Sequence, residues 1–191
     1  MFLLTKKKGK NMAEDRRVKN TKKRILEAYV TCIERDDGSK ITVKEICEIA
    51  DINRSTFYAH YTDSIDLYHQ ILWQMLDDIG ALLEEFEKHE DFYRHMRDLM
   101  NYFLERRRLI LALLKKDDSA FRKAYLKKTR EYTLTFEDMT AEDNAFFHEF
   151  YVSGFICAME GLLAGDVPPD RVDHLAGLLA RLEPNYKKKN G

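Results

Sequence analysis

Apolar residues recur at helical spacing along almost the whole chain. The spacing predicts a first helix from about Thr21 to Glu34, with Ile25, Leu26, Tyr29, Val30 and Ile33 on one face and Asp36-Asp37-Gly38 as its stop. A second, short helix starts at Thr42. Thr42-Val43-Lys44-Glu45 fits a capping box, and Val43, Ile46, Cys47 and Ala50 form the inner face. A third short helix follows a tight turn. Asn53 is placed to cap it, and Phe57 and Tyr61 point to the core at i,i+4. A long fourth helix runs from about Ser64 to Phe86, with a stripe from Tyr68 through Ile71, Met75, Ile79, Leu82 and Phe86. Five further helices are expected at about 90–105, 107–115, 119–137, 143–164 and 169–182, with Ser119 and Pro168-Pro169 as start signals.

The pattern predicts an all-α fold of about nine helices. Eight Gly and three Pro among 191 residues are too few for the turns of an all-β chain of this size. With 45% hydrophobic and 12% aromatic residues the chain buries a real core without staples. Cys32, Cys47 and Cys157 are odd in number and form no C-x-x-C, against a disulfide framework or a structural zinc and in keeping with a reducing cytoplasm. No run of 18 apolar residues predicts a membrane span, and Met1-Phe2-Leu3-Leu4 is too short for a signal segment.

Charge divides the chain. Residues 1–24 hold ten Lys and Arg against Glu14 and Asp15, a local charge of +8 that leaves −9 for the rest of a chain with net charge −1. A basic end on an acidic body suits a polyanion-binding head, and equally a solvated tail. Three segments follow: a basic, flexible arm (1–20), a head (21–64) and a helical body (65–191).

Two short helices joined by a tight turn, after a third helix, form a helix-turn-helix. The first turn of its second helix, Asn53-Arg54-Ser55-Thr56, is the part that reaches base edges when such a helix enters a major groove. Arg54 suits guanine O6 and N7, and Ser55, Thr56 and the Tyr58 phenol suit phosphates. The segments T-K-K-R-I-L-E-A-Y, I-T-V-K-E-I-C-E-I-A-D-I-N-R-S-T-F-Y-A-H-Y and D-S-I-D-L-Y resemble the tetracycline-repressor-like (TetR) family of bacterial regulators over about a quarter of the chain. That resemblance implies a homodimeric repressor of double-stranded operator DNA, with an N-terminal head and a C-terminal effector domain. By position it implies base or nearby backbone contacts from Arg54 and Thr56 and phosphate contacts from Thr42, Tyr58 and His60. Ser64 stands where the family often has Lys, so a hydroxyl remains but the charge is lost, and the basic segment before Thr21 is placed to compensate.

The body carries no G-x-S-x-G, P-loop, G-x-G-x-x-G or H-E-x-x-H, and His89 and His95 lie six apart, a poor spacing for a metal pair. No catalytic residue, metal site or cofactor is expected, and the chain reads as no enzyme. Family resemblance implies a cavity for a small apolar or aromatic effector. Tyr102, Phe103, Tyr125, Phe147, Tyr151 and Met159 are candidates for it, the phenols because a buried hydroxyl needs a partner. Gly154, Ala158 and Gly161 make a smooth stripe at i, i+4 and i+7, and Leu175, Leu178 and Leu179 follow on the last helix. These look like the helices that pair across a two-fold axis in the family, although packing within one subunit gives the same pattern. A reading from another class is a small-molecule or protein-interaction module that keeps a helix-turn-helix without using it on DNA.

Overall fold

The computed structural model describes residues 4–35, 40–89, 91–131 and 139–181, with side chains except at 4–15 and 87–89. Among these residues there is no strand. The chain forms two compact units, residues 1–71 and 72–191.

In the first unit, α1 spans Leu4–Arg35, α2 Val43–Ala50 and α3 Arg54–Tyr58. α1 starts well before the expected Thr21, so the backbone of residues 4–20 is helical. The physical reason is local: this stretch has no Pro, one Gly, and seven Lys and Arg residues of high helix propensity beside Met12, Ala13 and Glu14. Ile25, Ala28, Tyr29, Cys32 and Ile33 of α1 are buried, as are Ile46, Cys47 and Ala50 of α2. Thr42 caps α2 in a full capping box. Asp51 ends that helix in the left-handed conformation, with φ 49°. Asn53 occupies the N-cap position of α3 without a side-chain cap bond. Phe57 at 0% exposure anchors α3, its ring 5.5 Å from that of Tyr61.

α4 spans Ser64–His89, and the boundary between the units falls inside it. Its start is capped by Asp63, whose Oδ1 accepts from the N–H of Ile65 and Asp66 at 2.8 Å each. Asp66 reciprocates by accepting from the Thr62 N–H at 2.8 Å. That hydrogen bond, followed by one from Gln70, holds the Asp66 carboxyl below its usual pKa.

The second unit adds α5 (Phe92–Glu105), α6 (Arg107–Thr129), α7 (Ala141–Ala164), a 3-10 turn at Pro169–Arg171 and α8 (Val172–Ala180). The described elements are thus eight α-helices and one 3-10 turn. The two helices expected at 107–115 and 119–137 are one helix broken at Asp117, whose φ is −160° and ψ 86°. Asp117, not Ser119, caps the second half: its Oδ1 accepts from the Ala120 N–H at 2.9 Å. The expected end of that helix, residues 132–137, lies outside the described residues. α7 opens on a capping box between Thr140 and Asp143 and closes on Gly165 at φ 97°. Arg107 donates to the Ala164 carbonyl at 3.3 Å, satisfying one of the last carbonyls of that helix. Met75, Ile79, Met96, Phe103, Phe121, Phe155 and Leu163 make the core.

Candidate nucleic-acid interface

α3 is too short to be stable alone. It is held because Phe57 and Tyr61 sink into the first unit while the intervening positions stay outside. Arg54, Ser55 and Tyr58 are exposed, Tyr58 at 56%. Thr56 and His60 are half-buried. Tyr58 stands edge-on to Phe57 with ring centres 5.7 Å apart, so the buried ring fixes the exposed one. Arg54 carries no ion pair among the described residues, which leaves its five donors available.

Acids near this helix are neutralised locally. Asp51 pairs with Arg24 at 3.0 Å, and Glu48 pairs with Lys44 at 3.8 Å. Exposed pairs of this kind add little stability. Their effect is on the field, since they lower the repulsion that a phosphate backbone would meet beside Arg54. Burial pushes the Cys47 thiol up, against which the Arg54 guanidinium works. Sequence reasoning misses Arg24 and Lys44. The available signal for Lys44 is its i,i+4 spacing to Glu48; Arg24 offers none, because its partner lies 27 residues away.

Thr42 and Ser64 are differently engaged. The Thr42 hydroxyl donates to Glu45 Oε2 at 2.7 Å, and its oxygen accepts from the Glu45 N–H at 3.3 Å. The half-buried Ser64 donates to the Ile41 carbonyl at 3.1 Å, so its one hydroxyl hydrogen is directed inward.

The body places the effector candidates in two groups. Tyr125 and Tyr151 line a cavity of about 40 Å³ together with His95, His148, Thr129 and Phe155. Tyr102, Phe103, Phe147 and Met159 are not part of its wall. Tyr102 instead donates to Asp78 Oδ2 at 3.1 Å under the Arg106 guanidinium, which lies 3.9 Å from the ring centre. Phe103 packs edge-on against Tyr125 and Phe155. Burial is the leading reason why the Tyr125 and Tyr102 phenols rise above their usual pKa. His95 and His148 are not among the effector residues expected from the sequence. Burial lowers the pKa of both, that of His95 to about 4. For His95 the Leu82 carbonyl works against this shift, and for His148 the Thr129 carbonyl does.

On α7, Gly154 and Ala158 are exposed and Gly161 is half-buried. A Cβ added at Gly154 meets nothing within 4 Å. Phe146 at 67% and Phe150 at 69% exposure continue the same face at four-residue spacing. On α8, Leu178 is exposed while Leu175 and Leu179 are half-buried. No helix among the described residues is long and apolar enough to cross a membrane.

No family model matches the sequence, and no curated protein does. Solved structures do match. A TetR transcriptional regulator from Streptococcus agalactiae 2603V superposes with a TM-score of 0.53 at 27% identity, over 78% of this chain and 85% of that one. NalD, the secondary repressor of the MexAB-OprM multidrug efflux pump in Pseudomonas aeruginosa, gives 0.60 at 15% identity over 89% and 100%. The dihydroxyacetone kinase operon activator DhaS gives 0.52 at 18% identity over 85% and 93%. The chain has the all-helical fold of TetR-like transcriptional regulators.

Proposed function

We propose that this chain is a cytoplasmic, homodimeric, sequence-specific DNA-binding repressor whose hold on its operator is set by a small, mainly apolar effector. The observation that carries the reading is the division of α3. Phe57 is buried, while Arg54, Ser55 and Tyr58 face outward on a helix whose neighbouring acids are already paired. Arg54 reads a base edge; Tyr58, Thr56 and His60 serve the backbone; Thr42 fixes α2 through its cap. Ser64 contributes little as a phosphate donor, because its hydrogen is spent on Ile41. The basic residues before Thr21 supply the missing charge along the backbone or minor groove.

The dimer forms through α7 and α8. A small-residue stripe packed within one subunit would be covered, yet Gly154 and Ala158 are open and flanked by Phe146 and Phe150. Contiguous exposed apolar surface of this kind marks a partner site, and a self-complementary patch closes as a two-fold dimer. Two heads then enter successive major grooves one helical turn apart. An effector that favours a body shape with a different head spacing lowers operator affinity by population shift. Repression is the sign of regulation that the sequence resemblance implies. No enzymatic role is proposed.

Selection of bound duplexes from a random pool by the full chain tests this. A palindromic motif with half-sites about 10 base pairs apart is the expected result. Recovery of no enriched sequence in low salt would favour an interaction module that keeps the head without using it on DNA.

A further inference from the structure

His148 is a buried polar residue that the Thr129 carbonyl reaches only outside ordinary hydrogen-bond geometry. It is 5% exposed, and neither ring nitrogen makes a hydrogen bond of ordinary geometry. A neutral imidazole offers one donor and one acceptor. Buried polar groups are almost always paired, and an exception calls for a missing partner. Here the space for that partner exists, because His148 lines the body cavity.

The rest of the wall defines what fits. Leu83, Leu99, Val152 and Phe155 are apolar, and among the described residues no Lys, Arg, Asp or Glu lines the cavity. A charged ligand would be desolvated there without compensation. A hydroxyl satisfies an imidazole from either side, since it both donates and accepts. The aromatic and aliphatic wall favours a flat, apolar remainder.

Size sets a condition. About 40 Å³ holds roughly three waters, whereas a single aromatic ring needs about 150 Å³. Two wall residues can yield the difference. Tyr151 is half-buried and touches Met96 through a hydroxyl–sulfur contact of 3.9 Å. Methionine re-packs easily because it is unbranched and has three rotatable bonds.

We infer that this cavity is the effector site and that it takes a neutral single-ring phenol, whose hydroxyl pairs with His148 and whose ring lies between Leu99 and Phe155 once Tyr151 and Met96 swing aside. The regulatory meaning of the site rests on the proposed function; ligand binding does not. Tyr151 belongs to α7, the helix that carries Gly154 and Ala158, so opening the cavity acts on the proposed dimer face.

Titration calorimetry of the full chain with phenol, toluene and benzoate provides the test. Phenol should bind about three- to tenfold tighter than toluene, the gain of one well-made hydrogen bond, and benzoate should not bind. In His148→Phe the preference of phenol over toluene should disappear. Because a core variant can fail to fold, the wild-type chain gives a second reading: the His148 ring N–H resonance should move downfield, as a hydrogen bond requires, with phenol and not with toluene. Equal binding of phenol and toluene, tighter binding of benzoate, or binding of none of the three overturns the inference. A chain that binds DNA but not phenol loses this site and remains a regulator. A chain that binds phenol as stated but no DNA keeps the site and loses the regulator.

Discussion

Arg24 grips Asp51 at two points: its Nη2 donates to the Asp51 backbone carbonyl at 2.6 Å and to Oδ2 at 3.0 Å. The two residues come from α1 and from the turn between α2 and α3. Asp51 is also the one non-glycine residue with positive φ among the described residues. The contact therefore fixes the turn that aims α3, and it removes a negative charge beside Arg54.

Substitution at this turn separates the two effects. In Asp51→Gly, relief of the left-handed conformation offsets the absence of an exposed pair, so stability should change by less than about 1 kcal/mol. Asp51→Val puts a β-branched side chain at φ 49° and should cost about 1–3 kcal/mol. Urea denaturation of both variants checks this. A Val variant as stable as the parent would show that the turn is not left-handed in solution.

The dimer face gives a second prediction. Nothing lies within 4 Å of a Cβ at position 154 in its own subunit, so Gly154→Ala should stabilise the subunit by about 0.5–1 kcal/mol through helix propensity. Gly154→Leu meets no obstacle within its own subunit. Across a two-fold interface it is met twice, and overpacking costs about 1–3 kcal/mol each time. Sedimentation velocity should show Gly154→Leu shifted to monomer, with weaker operator binding although the head is intact. A Leu variant that stays dimeric would move the interface elsewhere.

Acid should expose the buried histidines. Burial lowers the His95 pKa to about 4, and lowers that of His148 as well. His95 is neutral in the fold down to about pH 4, so the unfolded chain binds more protons below about pH 6.5. For His95 the stability from this source is fully present above about pH 6.5 and is lost as pH falls toward about 4, by up to about 1.4 kcal/mol per pH unit; His148 acts in the same direction. His95→Leu should flatten the dependence of unfolding free energy on pH across that window. Parallel curves for parent and variant would mean that His95 is already protonated in the fold.

The basic segment makes a fourth prediction. Deleting residues 1–16 removes Lys6, Lys7, Lys8, Lys10 and Arg16. If these track the DNA backbone, the slope of log affinity against log salt should become shallower by about 0.9 for each phosphate that the shortened chain no longer neutralises. An unchanged slope would leave the segment without a part in DNA binding.

Local signals in the sequence carry the head. The Thr42–Glu45 box, the break at Asp51 and the i,i+4 pair Phe57–Tyr61 all lie within a few residues of one another, and propensity and pattern agree there. The body is legible as helices but not as a site. Aromatic residues look alike in sequence whether they pack or face water: Phe103 is buried, whereas Phe146 and Phe150 of similar context are open. His95 and His148 gain their meaning only from the walls that α4 to α7 bring around them. Asp117 displaces Ser119 as a cap because a break in a helix depends on the register of both halves, and either residue reads as a start.

Base readout by Arg54 is tested most directly by the ratio of operator to random-duplex affinity in Arg54→Ala. Operator binding should fall by about 1–3 kcal/mol per half-site, with preference relaxed at one position in each half. Binding to random DNA should change far less, and Tyr58→Phe should weaken both duplexes alike. Equal losses on operator and random DNA for Arg54→Ala would contradict base readout by this residue.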